Sequence, residues 1–145
     1  MPRKIRDHGG EKAAERLREA GLRPTRQRLA LAELVFGDAD RHLTAEALHT
    51  EAKDAGIPVS LATIYNTLRR FTECGLMREV LVAPGRAYFD TNTASHHHFF
   101  FEEKGELADI AAENIVLDAL PAAPPGSKVA RVDVIIRLEA EDAEG

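Results

Sequence analysis

Three consecutive histidines, His96, His97 and His98, are the residues of this sequence with the clearest capacity for chemistry. Side chains alternate along a β-strand, so His96 and His98 would project from one face, about 7 Å apart along the strand, and His97 from the other. Two imidazoles on one face can begin a metal or haem site but do not complete it. The triplet could also be a solvated strand edge, and both interpretations stay open at this point.

Further ligands are available elsewhere in the chain. Asp90 lies just before the histidines, and Asp109 follows at the end of the next predicted strand. His42, in a predicted loop, could join them from the first half of the chain. A site with ligands from both halves would fix their relative orientation, so that a bound ligand could change the activity of the first half.

A second candidate surface lies on a helix predicted over residues 61–74. Leu61, Ile64, Leu68 and Phe71 recur at helical spacing and should face a core. The residues off this stripe carry methyl, hydroxyl, amide and guanidinium groups. They are Ala62, Thr63, Tyr65, Asn66, Arg69 and Arg70.

These side-chain types contact base edges and phosphates in protein–DNA complexes. Residues near the start of a recognition helix reach the bases, which favours Ala62, Thr63, Tyr65 and Asn66 as readers. Arg69 and Arg70 would then contact phosphates or support a dimer. The alternative is a solvated helix face with Tyr65 partly buried against neighbouring strands.

The elements around this helix support the DNA-binding interpretation. Helices are predicted over residues 11–20, 26–36, 45–55 and 61–74, with Thr25, Thr44 and Ser60 as N-caps. Strands over 78–82 and 87–90 follow, joined by a Pro-Gly turn. With the first helix set aside, three helices and a hairpin predict a winged helix-turn-helix. Its expected phosphate contacts are Arg23, Arg26, Arg28 and Arg86.

The remainder predicts a second, smaller unit. Strands over 96–102 and 106–110, a helix over 112–120 and a strand over 129–138 follow a polar segment. The fold class is therefore α+β, with a winged-helix DNA-binding domain (1–90), a hinge (91–95), a small α/β dimerisation and ligand-sensing domain (96–139) and a disordered acidic tail (140–145).

Composition limits the classes of function. The net charge of the 145 residues is −5, divided into +2 over residues 1–90 and −7 over 91–145, so the first half is better suited to an anionic partner. The single cysteine, Cys74, excludes an internal disulfide and a four-cysteine zinc site. Without a signal peptide or an apolar stretch of roughly 20 residues, a cytoplasmic homodimer with no membrane contact is expected.

An enzyme is not expected, because HExxH, nucleophile-elbow and phosphate-loop motifs are missing from the sequence. A small metalloenzyme built on His96, His98 and the two aspartates is the remote alternative. A haem or metal carrier with a vestigial winged helix is a third possibility.

Three segments carry a resemblance to a known family. Residues 22–28 (LRPTRQR), 42–46 (HLTAE) and 60–68 (SLATIYNTL) resemble the ferric uptake regulator (Fur) superfamily, and the match runs from about Leu17 to Leu138. Residues 88–92 and 95–100 are similar to its Irr (iron response regulator) branch, whose members respond to haem. The resemblance implies that Tyr65 lies in the recognition helix and that the C-terminal unit forms the dimer.

The same resemblance implies two kinds of ligand site. His42, Asp90, His96, His98 and Asp109 would form the regulatory metal site for Fe(II), Mn(II) or Zn(II), and His96, His97 and His98 would be haem ligands. The superfamily's structural-zinc CxxC pair is replaced by Phe101 and Lys104, so that zinc site is expected to be absent.

The resemblance also implies a function. The chain would be a transcriptional regulator of iron and haem homeostasis, a repressor that binds an inverted-repeat operator as a dimer and loses DNA when haem binds. A regulator of the same superfamily that senses a divalent metal or peroxide without haem is the alternative.

Overall fold

A computed structural model describes residues 2–37 and 39–142 of the chain, with the side chains of residues 11–37 and 39–142. The chain divides into two compact units, one ending at Thr93 and the other beginning at Ala94. The α-helices lie in the first unit and each unit has a small sheet, a mixed α+β arrangement that confirms the predicted fold class. Within the described residues, every helix is too short or too polar to cross a bilayer.

Four helices build the first unit. They are α1 (Pro2–Glu19), α2 (Arg26–Val35), α3 (Ala45–Asp54) and α4 (Leu61–Glu73). The three predicted N-caps are confirmed: the side chains of Thr25, Thr44 and Ser60 each accept a hydrogen bond from the backbone N–H three residues later. These bonds satisfy amides that have no partner within the helix, and so fix where α2, α3 and α4 begin.

The core of this unit lies where the helices meet. Leu17 of α1, Leu31 of α2, Leu48 of α3 and Phe71 of α4 are fully buried. Helix α1 was predicted to begin at residue 11, after two glycines of low helix propensity, but it runs back to Pro2. Its buried residues make α1 part of the core instead of an appendage to the winged helix.

A three-stranded antiparallel sheet completes the first unit. Its strands are β1 (His42–Leu43), β2 (Arg78–Ala83) and β3 (Arg86–Asp90), in the order β1-β3-β2. Pro84 and Gly85 form the turn between β2 and β3, and Gly85 has a φ of +75°, a conformation that favours glycine. The prediction of a loop at His42 was wrong, because a two-residue strand is too short to show the alternation that identifies a strand.

The second unit is a smaller three-stranded sheet. Strand β4 (His96–Phe101) lies in the centre, antiparallel to β5 (Glu106–Ala111) and parallel to β6 (Ile135–Leu138). The histidine triplet therefore begins the central strand of this sheet.

Two predictions for the second unit were wrong. In place of a helix over 112–120 there is a 3-10 turn over Ala112–Asn114, and the strand predicted over 129–138 is confined to Ile135–Leu138. A helix this short depends on packing for its stability. Val116, Leu117 and Leu120 are exposed, so the segment has no apolar face buried within one chain.

Candidate metal-binding and DNA-binding sites

His42 and Asp90 form a pair within the first unit. They are directly opposite each other on the antiparallel strands β1 and β3, where facing side chains lie close together. The His42 Nε2 atom is 3.3 Å from Asp90 Oδ2, and the other carboxylate oxygen accepts the Asn92 backbone N–H at 2.9 Å. Asp90 is fully buried. A buried carboxylate requires such partners, because its transfer from water is unfavourable without them.

His96, His98 and Asp109 converge within the second unit. His98 and Asp109 are partners across β4 and β5, and His96 is two residues along the same face of β4. The Nε2 atoms of His96 and His98 lie 3.3 Å and 3.4 Å from Asp109 Oδ1. Both histidines are buried, whereas the Asp109 side chain is 41 % exposed. Two imidazole nitrogens and one carboxylate oxygen are thus directed to one point.

The hydrogen bond of His96 prepares its ring for a metal. Its Nδ1 atom lies 2.6 Å from the Ala94 carbonyl oxygen. A carbonyl only accepts, so Nδ1 carries the proton and Nε2 keeps its lone pair in the neutral ring. A hydrogen bond to the far nitrogen is typical of histidines that bind metals.

The donor set and its spacing fit a divalent first-row transition metal. Imidazole and carboxylate groups bind iron, manganese and zinc. An ion that holds its ligands at about 2.1 Å places them about 3 to 3.4 Å apart, and the three histidine-to-aspartate separations lie at the upper end of that range.

His97 has a different role in the strand. It projects from the opposite face of β4, and its Nδ1 atom accepts the Val134 backbone N–H at 3.1 Å. The bond fastens the segment that leads into β6. His97 is therefore part of the framework of the sheet and is not directed toward Asp109.

Helix α4 presents most of the predicted base-reading residues to solvent. Ala62, Tyr65, Asn66, Arg69 and Arg70 are exposed and Thr63 is half-buried. Ile64, Leu68 and Phe71 are fully buried on the other side. The helix therefore has a fixed apolar face and an accessible polar face.

The predicted phosphate-binding arginines lie at the expected elements. Arg23, Arg26 and Arg86 are exposed, the first two around the start of α2 and the third at the start of β3. Arg28 is half-buried, and its guanidinium donates to the Arg23 carbonyl oxygen at 3.2 Å. Arg70 lies 3.5 Å from the Glu73 carboxylate in an exposed pair.

Sequence reasoning gave no role to Glu46 or Arg41, and both side chains have defined contacts in the first unit. The Tyr65 hydroxyl donates a 2.6 Å hydrogen bond to the Glu46 carboxylate. This bond lowers the pKa of Glu46 and raises the pKa of Tyr65. The two residues are 19 positions apart, and the sequence offers no local signal that would have paired them.

Arg41 is the second missed residue. Its guanidinium binds both Glu51 carboxylate oxygens, at 3.0 and 2.6 Å, and the Leu34 carbonyl oxygen at 3.1 Å. The hydrogen bond to Glu51 raises the pKa of Arg41. Its backbone N–H donates to Thr91 Oγ1 at 2.9 Å. Arg41 immediately precedes His42, and its contacts connect this position to α2, to α3 and to Thr91, which follows β3.

Comparison with known proteins identifies the family. The model of the ferric uptake regulator family matches residues 19–135. The chain belongs to the ferric uptake regulator family. The peroxide-responsive repressor PerR of Staphylococcus epidermidis (strain ATCC 12228 / FDA PCI 1200) is 34 % identical over 103 residues, which cover 71 % of this chain and 68 % of that protein.

Solved structures of ferric uptake regulators share the fold. The protein from Pseudomonas aeruginosa, solved with manganese, matches with a TM-score of 0.66 and 23 % identity over 88 % of this chain and 97 % of its own. The Vibrio cholerae protein matches with a TM-score of 0.68 and 21 % identity over 88 % and 98 %. The superfamily prediction is confirmed, whereas the relative named above is a PerR protein and not a member of the Irr branch.

Proposed function

We propose that this chain is a DNA-binding transcriptional regulator whose affinity for its operator is set by a divalent metal ion. The observation that carries the proposal is the convergence of His96, His98 and Asp109 on one point in the unit that does not carry helix α4. A regulator needs a ligand site separate from its DNA-binding surface, so that the first can bias the second.

The His42–Asp90 pair would add its ligands to the same ion. Only five residues separate Asp90 from His96 along the chain, so the connection between the two ligand sets is short. A metal held by both sets would favour one arrangement of the units over others. The ion would supply positive charge and directional ligand bonds, and each of the two units would supply part of the ligand set.

Helix α4 would read DNA with its exposed face. Ala62, Thr63, Tyr65 and Asn66 would meet base edges in the major groove, and Arg69 and Arg70 would meet phosphates or support the dimer. Further phosphate contacts would come from Arg23, Arg26, Arg28 and Arg86. DNA binding should therefore weaken steeply with salt, because each phosphate contact releases counterions.

The regulator would bind an inverted-repeat operator as a homodimer, through the second unit. Its exposed apolar side chains include Val116, Leu117, Leu120 and Val129, which a second copy of the chain would cover. A two-fold protein dimer matches a two-fold operator.

The signal to which the regulator would respond is a divalent metal, peroxide or haem. The name of the PerR relative, a peroxide-responsive repressor, supports a response to peroxide, and the P. aeruginosa structure, solved with manganese, supports a manganese site. Haem, bound through the His96–His98 triplet, is the second candidate. The convergence of the His96 and His98 nitrogens on Asp109 favours a small ion over a flat macrocycle.

Fluorescence anisotropy tests the proposal. An operator is first selected from random duplex DNA with manganese-loaded protein, and metal-free protein is then titrated onto it with and without Mn(II). Metal should raise the operator affinity by about tenfold or more, within the usual range of allosteric coupling. The variants His96→Ala and Asp109→Asn should remove this effect.

The control is His49→Ala, a histidine of α3 whose Nε2 contacts the Val59 carbonyl oxygen at 3.2 Å. It should respond to metal as the wild type does. Failure to select any DNA sequence would contradict the regulator itself. Release of DNA by haemin alone, abolished when His96, His97 and His98 are all changed to Ala, would replace the metal with haem as the cue.

A further inference from the structure

An acidic residue lies on the surface that the proposed function assigns to DNA. Glu46, in the first turn of α3, is exposed and accepts the Tyr65 hydroxyl hydrogen bond. Both residues line a groove of about 540 Å³ that also includes Arg86. A carboxylate beside phosphates is repelled by them, so its presence here calls for a compensating role.

The hydrogen bond has only one possible direction. The pKa of Glu46 is lowered by the bond from Tyr65, so the carboxylate is ionised at neutral pH and can only accept. The Tyr65 hydrogen is therefore committed to Glu46. The phenol oxygen keeps its lone pairs and can still accept a second hydrogen bond.

This commitment limits what Tyr65 can recognise. In the major groove, adenine N6 and cytosine N4 are donors, whereas guanine O6 and N7 and thymine O4 are acceptors. A hydroxyl that must donate to Glu46 can accept from adenine or cytosine but cannot donate to guanine or thymine. A hydroxyl that is free to rotate could do both.

We propose that Glu46 is a specificity-determining residue that fixes the Tyr65 hydroxyl as a hydrogen-bond acceptor toward adenine or cytosine. The inference rests on the proposed function, since it requires α4 to face DNA. Glu46 acts through Tyr65 and is a positioning residue, and its negative charge also weakens attraction to DNA of any sequence.

Affinities for a panel of operators with each base pair substituted in turn, and for random DNA, test this inference. Wild-type protein should prefer adenine or cytosine over guanine or thymine at one position of each half-site by about fivefold or more, the usual worth of one hydrogen bond. Glu46→Ala should reduce that preference to within about twofold. Glu46→Gln should retain it, because the amide oxygen still accepts the hydroxyl hydrogen bond.

Two further variants separate the bond from charge and folding. Tyr65→Phe should lose the same preference, and Glu46→Ala combined with Tyr65→Phe should lose no more than Tyr65→Phe alone. The matched control, Glu33→Ala, removes an exposed carboxylate from α2 and should keep the preference. Circular dichroism confirms that each variant is folded.

The outcomes distinguish this inference from the proposed function. If wild-type protein selects no DNA sequence, the regulator proposal fails. If it selects an operator but Glu46→Ala keeps the full preference, or Glu46→Gln loses as much as Glu46→Ala, the role of Glu46 is overturned while the regulator stands.

Discussion

At the scale of single residues, the hydrogen bond between Tyr65 and Glu46 should change the pH at which the Tyr65 hydroxyl ionises. The bond raises the pKa of Tyr65 above its ordinary value near 10.0. A raised pKa means that the bond stabilises the fold fully below the ordinary pKa, and that this contribution is lost as the pH rises through the raised pKa. Glu46→Ala should therefore lower the pH at which Tyr65 ionises.

Ultraviolet absorbance of the phenolate measures this titration. The chain has two tyrosines, so subtraction of the Tyr65→Phe curve isolates the Tyr65 transition from that of Tyr88. Identical curves for wild-type protein and Glu46→Ala would show that the hydrogen bond does not persist in solution.

The neighbouring histidines His96 and His97 should differ sharply when each is replaced. His96→Ala removes a nitrogen directed at Asp109 and should weaken Mn(II) binding by about tenfold or more. His97→Ala leaves those nitrogens in place but removes the acceptor of the Val134 N–H, and should cost about 1 kcal/mol of stability. Calorimetric metal titration and chemical denaturation measure the two effects. Equal loss of metal affinity in both variants would contradict the assignment of faces.

Sequence reasoning was strongest where one residue type limits the chemistry. Three adjacent histidines and the alternation of a strand predicted that His96 and His98 share a face, and the sheet places them so. The partners of Tyr65 and Arg41 could not be predicted from the sequence, because each contact joins elements whose relative placement no local pattern encodes. Local spacing predicts faces, and tertiary packing decides pairs.

At the scale of elements, the N-cap of α4 is the simplest feature to test. The Ser60 hydroxyl accepts the Thr63 N–H at 3.1 Å, and its removal leaves that amide without its capping partner. Ser60→Ala should lower the free energy of unfolding of the first unit by about 1 kcal/mol. Helical circular dichroism during urea denaturation reports on this unit, since α1 to α4 all lie within it.

Ser95→Ala is the matched control, because Ser95 is exposed and lies outside any helix. It should leave the unfolding midpoint unchanged. A Ser60→Ala midpoint equal to that of wild type would mean that solvent replaces the cap at no cost.

The contrast between the two units explains which elements the sequence predicted. Helices α2, α3 and α4 carry caps and an apolar face that packs within the same chain, so local signals and tertiary packing agree. The segment after β5 has apolar residues, but Val116, Leu117 and Leu120 are exposed within the described part of the chain. Its predicted helix therefore rested on composition alone, and the prediction was wrong.

At the scale of the whole molecule, the net charges of the two parts of the chain agree with the functions that we propose for them. The net charge of −5 conceals a first half at +2, which carries α4, and a second half at −7, which carries His96, His98 and Asp109. The acidic second half would attract a cation, and the first half would tolerate phosphates. The sequence alone predicts this asymmetry and offers Asp109 as a candidate ligand, and the fold shows that its carboxylate lies next to both imidazoles.

The coupling between metal and DNA should depend on the His42–Asp90 pair. If the ion is held by ligands of both units, His42→Ala should leave Mn(II) bound by His96, His98 and Asp109, though more weakly. It should also reduce the effect of Mn(II) on operator affinity to nearly none.

Coupling between two binding sites is reciprocal. Saturating operator should therefore raise the Mn(II) affinity of wild-type protein by the same factor by which Mn(II) raises operator affinity. It should not raise the Mn(II) affinity of His42→Ala. Four titrations of each protein, with and without the other ligand, measure both factors. Full coupling in His42→Ala would mean that the metal acts within the second unit alone, for example by strengthening the dimer, and would separate metal binding from the orientation of the two units.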